Sequence, residues 1–590
     1  MKKFSILTLL FLILVSPLYA SHLMGGEITW RCNGNGTYTF KVKIYRDCNG
    51  VPAPATLKLI SDGPVDTIPC IKISQIDLSP IGVGCPTCAS PNLQSSAVEE
   101  HIYESDTIAL NGVPPITGWN FWYTDCCRNG NIVNLDLTNG YFTLKAKMFS
   151  FSGQNASPCY DNSPYFADSP SLAVCNKDTI QFNHTAFDVE LDSLSFSWTP
   201  PLSTDINTNA VFNSPYTHQN PLPGPAQNPQ NTVATLDSSQ GIISFYSNSI
   251  GSYVTANKVS AYKCGQLVAE IFREVQVYLT NCQISSNPPA FNSAPDVYPS
   301  SDVETFNIIA GDSFIYNFIS FDFELLPNGA GGNVQTLTLN AIGIELGLGD
   351  TSFTTGCLIP PCAVLQLPTP IDGPAQISNK LTWPTTCAHA GFTNGCIQSQ
   401  RTFQFILKVE DNFCPAHGVR YKNILVNVQG PQIYSSGNDL AVSYPGVTLQ
   451  WYFNGVPIPG ATDTIYTPTV AGIYSVMATT GSGCIMLSNS VNKTFTGIET
   501  LKSKESSIQV FPNPSTGNTT LNVLLNNMPT GSNLIRVFDV NGKVVKQIPI
   551  VVYTTDEHLL IDLSDLSSGV YSLNISGEGK IHQTQLVLTN

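Results

Sequence analysis

Gly36-Thr37-Tyr38-Thr39-Phe40-Lys41-Val42-Lys43-Ile44-Tyr45-Arg46 sets Tyr38, Phe40, Val42 and Ile44 against Thr39, Lys41, Lys43 and Tyr45. Side chains of an extended chain alternate between two faces, so this run predicts a half-buried antiparallel strand. The preceding Asn33-Gly34-Asn35-Gly36 supplies turn residues that accept a positive φ, which makes a hairpin turn. Similar runs stand at Tyr141 to Met148, Ile271 to Leu279, Phe403 to Val409 and Ile424 to Val428, each bounded by turn clusters. No stretch carries a convincing helical period. The chain therefore reads as all-β, a series of consecutive antiparallel β-sandwiches, with the Pro- and Asn-rich stretch from Pro215 to Asn231 as a long loop.

Composition agrees. Charged residues make up 12% of the 590, against about 25% in an ordinary soluble protein, while Gly 44 and Pro 41 supply many turns. The length allows several domains. The net charge of −15 opposes a phosphate backbone or an anionic lipid surface, so nucleic acid is excluded as an expected partner.

The N-terminus has a basic pair, Lys2 and Lys3, an apolar run from Phe4 to Leu14, and Pro17 ahead of Ala20. Residues 1–20 read as a secretory signal peptide, and the run falls short of the ~20 apolar residues a spanning helix needs. No transmembrane segment is expected in the mature chain. All 17 cysteines lie beyond the signal peptide, and in an exported protein such usage points to disulfides. Cys85-Pro86-Thr87-Cys88 sits in loop chemistry rather than between a strand and a helix, which weighs against a redox pair. Zinc would need a second ligand pair, and Cys126-Cys127 has no spacer to present both thiolates to one ion. The odd total leaves at least one thiol unpaired or intermolecular.

Domain boundaries are placed at 21–152 (Cys-rich sandwich), 153–284 and 285–430 (second and third sandwiches), 431–497, a linker at 498–507, and 508–590. In 431–497, Leu449-Gln450-Trp451-Tyr452 offers a core Trp and Ala471-Gly472-Ile473-Tyr474-Ser475-Val476 has tyrosine-corner spacing. This resembles an immunoglobulin-like domain in which Val476 replaces the core Cys.

Two groups of segments carry further resemblances. Ser21 to Ile28, Tyr45-Arg46-Asp47-Cys48, Asp125-Cys126-Cys127-Arg128-Asn129-Gly130 and Phe272 to Val277 resemble gliding-motility-associated surface proteins of Gram-negative bacteria. Val510-Phe511-Pro512-Asn513-Pro514-Ser515-Thr516-Gly517, then Val537 to Val545 around Asn541-Gly542, then Ser568-Gly569-Val570-Tyr571, is similar to the type A C-terminal sorting domain of the type IX secretion system. The segment itself reads as a compact sandwich with Phe511, Leu521, Val523, Ile535, Val537 and Tyr571 in its core and a tight hairpin at Asn541-Gly542. The resemblance implies sorting residues Pro512, Asn513, Pro514, Gly517, Gly542, Gly569 and Tyr571, docking on the type IX translocon, and delivery to the cell surface or the medium. Gly542 and Gly569 are expected in turns that a side chain would strain.

The chemistry-bearing residues are few. Eight histidines are scattered singly, and no HExxH, GxSxG, Walker or dinucleotide motif occurs. Gly311-Asp312-Ser313-Phe314 reads as ordinary turn composition. In Phe187-Asp188-Val189-Glu190-Leu191-Asp192-Ser193-Leu194, an extended chain would put Asp188, Glu190 and Asp192 on one face, and the apolar phase then switches, implying a bend near Asp192. The segment resembles cadherin-like repeats, echoed by Phe321 to Glu324 and Glu410 to Asn412, and its three carboxylates are candidate calcium ligands; a solvated acidic strand edge is the competing reading. Asp66-Thr67-Ile68, Asp106-Thr107-Ile108, Asp178-Thr179-Ile180, Asp192-Ser193-Leu194 and Asp463-Thr464-Ile465 resemble an O-glycosylation sequon of such bacteria, with chance as the competitor. The expected function is a non-enzymatic, adhesin-like surface protein with a glycan or polymer ligand; a secreted hydrolase with its carboxylate pair hidden in 21–430 is the alternative.

Overall fold

The computed structural model describes residues 22–494 and 507–589, apart from short stretches of which the longest are 90–96, 152–160, 283–289, 294–301, 326–333, 348–355 and 391–399. The signal peptide expected at 1–20, Gly517 and residues 498–506 of the expected linker lie outside the described residues. Described elements are almost all strands; the helical turns Ile344–Leu346 and Cys387–Ala390 are short. Among the described residues no helix is long and apolar enough to cross a membrane. The chain divides into two compact units, one of 1–432 with 444–448 and 477–489, the other of 433–443, 449–476 and 490–590.

In the first unit the opening run becomes the strand Thr37–Asp47, paired on one side with Leu23–Cys32 and on the other with Val98–Ser105. The long strand Gln266–Thr280 pairs with Leu23–Cys32 through Gly25↔Val275 to Glu27↔Arg273, with Tyr141–Met148 through Ala269↔Met148 to Ile271↔Ala146, and with Gly251–Lys263 along its other edge. Strands of 21–152 and 153–284 thus share one twelve-stranded sheet, and its hydrogen bonding returns to the first strand. Two glycines permit the closure. A Cβ on Gly25 would stand 2.1 Å from the Glu274 carbonyl oxygen, and one on Gly26 would stand 2.4 Å from that of Lys43.

The strand expected to be half-buried is buried on both faces. Tyr38, Phe40, Val42 and Ile44 join Trp30, Phe121, Phe142 and Ile271 in one core, whereas Tyr45 packs with Met24, Val98, Phe182, Phe245 and Val275 in a second. Strands from 153–284 cover the face that a lone sandwich would leave to water. The stretch 199–234 carries no strand and is the long loop expected around Pro215 to Asn231. Residues 285–430 add a four-stranded and a five-stranded sheet, the latter in the order Val303–Ile309, Val419–Gln429, Gln400–Glu410, Thr336–Gly343, Ile371–Pro374.

Disulfides staple this unit at Cys48–Cys88, Cys85–Cys414, Cys126–Cys127, Cys175–Cys282 and Cys357–Cys362, and Cys70 is a buried free thiol. Cys85 and Cys88, three positions apart, take different partners.

In the second unit Trp451 is fully buried and its indole N–H donates to the Asp463 carbonyl at 2.8 Å. The Tyr474 hydroxyl donates to the Val470 carbonyl at 2.7 Å, closing the tyrosine corner, and Val476 is buried where a cystine would stand. The C-terminal sandwich packs a three-stranded sheet (Ser507–Phe511, Thr520–Asn526, Glu557–Asp562) on a five-stranded one in the order Ser515–Thr516, Lys580–Thr589, Gly569–Gly577, Gly531–Phe538, Val544–Val552. Leu521, Val523, Ile535, Val537 and Tyr571 are in its core as expected. Phe511 is not. It is half-buried, with Tyr434 and His558 rings 5.4 Å and 5.9 Å from its own.

Candidate functional site

The sequence placed Asp188, Glu190 and Asp192 on one extended face, and the fold assembles them by a turn instead. The strand Ala186–Phe187 ends before Asp188 and Ser193–Trp198 begins after Asp192. Between them the Leu191 N–H bonds the Asp188 carbonyl at 3.2 Å, with Leu191 at φ 60°. Asp188 Oδ1 accepts the backbone N–H groups of Glu190 and Asp192, both at 3.0 Å. The chain bends where the apolar phase switches.

Two residues absent from the sequence reading complete the cluster. Ser163 and Asn162 run beside the end of the strand Leu23–Cys32: Trp30 N donates to Ser163 Oγ at 2.9 Å and Cys32 N to Asn162 Oδ1 at 2.8 Å. This buries Asp161, the next residue. Lys263 closes the strand Gly251–Lys263 and points its ammonium inward, 2.7 Å from Asp161 Oδ1 and 3.3 Å from Asp192 Oδ2. Glu190 Oε1 accepts from Asn162 Nδ2 at 2.5 Å. Burial, then the Glu190 and Asp188 charges, hold the Asp161 carboxyl well above the usual range despite Lys263 beside it. Asp188 is raised likewise by burial and its carboxylate neighbours. Lys263 is raised too, because attraction to Asp161, Asp192 and Glu190 outweighs its desolvation.

Four carboxylates thus face one lysine. Asp161 Oδ2, Asp188 Oδ2 and Glu190 Oε2 have no hydrogen-bond partner. Among the described residues, three ligand atoms lie within 4.8 Å of one another only at Cys48, Asp77 and Cys88, of which the cysteines are bonded to each other. Calcium on Asp188, Glu190 and Asp192 would require their side chains to rotate together. The echoing segments serve turns: Asp322 Oδ1 accepts the Glu324 N–H at 2.9 Å, and Asp411 Oδ1 accepts those of Phe413 and Gly418.

A cleft of about 550 Å³ opens beside this turn. Phe187, Leu191 and Phe196 give it apolar walls, and Ser239, Gln240 and Gln404 give it polar ones, with Gln404 Nε2 donating to Gln240 Oε1 at 3.1 Å. Asp188 and Asp192 are the only ionisable side chains among the residues that line it.

The N-terminal motif residues converge around a second set of charges. Glu27 pairs with Arg273 and accepts the Tyr45 hydroxyl at 3.0 Å; Arg128 pairs with Glu274 through 2.8 and 2.7 Å bonds; Leu23 N donates to the Cys127 carbonyl at 3.1 Å. These residues join strands distant in sequence. All five hydroxyl residues of the sequon-like triplets, Thr67, Thr107, Thr179, Ser193 and Thr464, are exposed.

In the C-terminal domain Asn513 lies against the last strand, its side chain donating to the Gln585 carbonyl at 2.6 Å and accepting the Val587 N–H at 2.8 Å. Tyr571 donates to the Ser567 carbonyl at 2.6 Å. Gly542 has φ 78° in a turn whose Asp539 Oδ1 caps the N–H groups of Asn541 and Lys543. Gly569 instead opens a strand at ordinary φ, and a Cβ there would meet the Tyr571 ring at 3.4 Å, so the strain expected at Gly569 is absent.

Residues 509–589 match the family described as the secretion system C-terminal sorting domain. The protein is exported by type IX secretion to the cell surface or the extracellular space. No curated protein matches the chain. Among solved structures, it is similar to a biofilm-associated protein BSP domain (10% identity, 97% of this chain and 96% of that one, TM-score 0.16). It is also similar to a tetra-tandem repeat in the extending region of a large adhesion protein (11%, 71% and 100%, TM-score 0.13) and to the N-terminal eight Ig domains of Down Syndrome Cell Adhesion Molecule (8%, 96% and 80%, TM-score 0.14). The resemblance of the N-terminal residues to gliding-motility-associated proteins has no counterpart among these matches.

Proposed function

We propose that the mature protein is a non-enzymatic, adhesin-like surface protein that holds a glycan or another surface polymer in the cleft beside Asp188 and Asp192. The observation that carries this reading is the lining of that cleft. Aromatic and aliphatic walls beside glutamine amides and a serine suit a sugar, which offers apolar faces and hydroxyl edges together. Of its two ionisable side chains, Asp188 caps two backbone N–H groups through Oδ1 and keeps Oδ2 buried, and Asp192 pairs with Lys263. A hydrolase would need one of them free to reach substrate. In the same proposal the C-terminal domain docks on the type IX translocon and is then removed.

The purified mature chain is tested against a panel of polysaccharides and peptides for binding and turnover. Binding without turnover, weakened by Gln240→Ala with Gln404→Ala, is the expected result. Hydrolysis abolished by Asp188→Asn or Asp192→Asn would replace this reading with the secreted hydrolase.

A further inference from the structure

We propose that Lys263 and Asp161 condense to an intramolecular amide, with Asp192 as the group that carries the proton. Lys263 Nζ lies 2.7 Å from Asp161 Oδ1, and the two side chains are 2% and 3% exposed. Asp192 Oδ2 lies 3.3 Å from the same nitrogen, and its carboxyl is within hydrogen-bonding reach of Asp161. Nucleophile, electrophile and proton carrier therefore share one nearly dry pocket, where fixed proximity replaces a bimolecular encounter.

Other features of the cluster separate it from an ordinary buried ion pair. Asp188 and Glu190 crowd the same space, so carboxylates outnumber the cation, and Asp161 Oδ2 finds no donor. A buried charge pair that is incompletely hydrogen-bonded is a costly arrangement, whereas an amide carries no charge to bury. The pair also joins residues 102 positions apart, which an amide would make a permanent staple in a unit already stapled by cystines.

The step balances without an oxidant or reductant. The Lys263 ammonium gives a proton to the Asp192 carboxylate, and the freed amine attacks Cγ of the protonated Asp161 carboxyl, forming the C–N bond. The tetrahedral intermediate loses its hydroxyl, which takes the proton held by Asp192 and leaves as water, while the second nitrogen proton passes to Asp192. The products are a secondary amide, one water and a protonated Asp192, which then releases that proton to solvent.

Mass spectrometry of the full exported chain, reduced and alkylated, tests this. The expected mass is lighter by one water than that of the residues the exported chain retains, trypsin does not cut after Lys263, and a branched peptide joins the segments containing Asp161 and Lys263. Lys263→Arg, which keeps the charge, and Asp192→Asn, which keeps the shape, should both restore full mass. Full mass in the parent protein with cleavage after Lys263 would overturn the proposal, as would a water loss that maps to any other residue.

Discussion

Glu27 and Arg273, 246 residues apart in sequence, form a forked ion pair in the interior of the first unit: Arg273 Nη2 donates to Glu27 Oε1 at 2.8 Å and its Nε donates to Oε2. The guanidinium also lies 3.8 Å from the centre of the Phe166 ring. Burial alone would raise the Glu27 carboxyl, but the attraction of Arg273 outweighs it and holds the group below its ordinary range. The pair ties the first strand of the mature chain to a strand near residue 273, so the N-terminal motif acts as a clasp.

Removing one partner should therefore cost more than removing both. Glu27→Ala strands a buried guanidinium and is expected to destabilise the first unit by about 3 to 5 kcal/mol, whereas Glu27→Gln with Arg273→Met should cost less. Denaturant unfolding of the disulfide-intact chain measures both. Equal losses would show that the pair contributes packing alone.

Much of the architecture was readable because local signals sufficed for it. The strand at Thr37–Asp47, the buried Trp451, the tyrosine corner at Tyr474 and the turn at Gly542 each depend on residues a few positions apart. Tyr45 shows where this ends: its side of the strand read as solvent-facing, yet Phe245 and Val275, over 190 residues on, cover it. The same holds for the cluster. Asp188, Glu190 and Asp192 stand together in the sequence, but Asp161 and Lys263 arrive through the pairing of Gly251–Lys263 with Ser193–Trp198 and the docking of Ser163 on Trp30, which no local pattern announces.

Cystines should carry a measurable part of the stability. Cys175–Cys282 closes a separation of 107 residues, and replacing both by Ser should cost about 2 to 5 kcal/mol. The immunoglobulin-like module, with Val476 in place of a core Cys, should melt at the same temperature with and without reductant. Cys70, whose thiol burial pushes up to about 12, should react with thiol reagents only after unfolding.

Calcium uptake by Asp188, Glu190 and Asp192 predicts a melting temperature that rises when calcium replaces chelator, the stability gained being RT ln(1 + [Ca]/Kd), about 2.7 kcal/mol at a hundredfold excess over Kd. Asp188→Asn with Asp192→Asn keeps size, and its amide oxygens can still accept the backbone N–H groups, so it should remove that rise while leaving the fold intact. Identical melting in calcium and chelator would exclude calcium at these three carboxylates.

Glu345 gives the first unit a pH dependence. Burial raises its carboxyl to about 7, against the attraction of Arg401; His389 Nε2 lies 3.9 Å away. A carboxyl with a raised folded pKa contributes stability that is fully present below its unfolded value of about 4.3 and is lost as pH rises through about 7. His389 works in the other direction. Its Nδ1 accepts the Thr386 N–H at 2.8 Å, so the ring is held neutral, and burial lowers its pKa. Stability from His389 is lost as pH falls below about 6.5. Glu345→Gln should therefore gain on the parent protein between pH 5 and 8 in thermal melts, as a growing difference in melting temperature. A constant difference would exclude titration of Glu345.

The C-terminal domain offers substitutions whose structural consequences differ. Gly542 holds φ 78° with open space around it, so Gly542→Val meets backbone strain and no clash, at about 1 kcal/mol or more. Gly569→Ala adds an ordinary contact to Tyr571 and should be nearly silent. Asn513→Ala removes two hydrogen bonds to the last strand, Lys580–Thr589, and exposes that strand's backbone without touching the core in which Leu521 and Val537 lie. If the translocon reads the folded surface formed by residues 512–514 against the last strand, Asn513→Ala should reduce export while the domain still folds, as judged by its melting temperature. Gly542→Val should lower stability and export together, and Gly569→Ala should change neither. Removal of 508–590 should leave the remaining chain folded in the periplasm. Surface arrival of that truncated chain, followed by protease accessibility on intact cells, would show that the route lies elsewhere in the sequence.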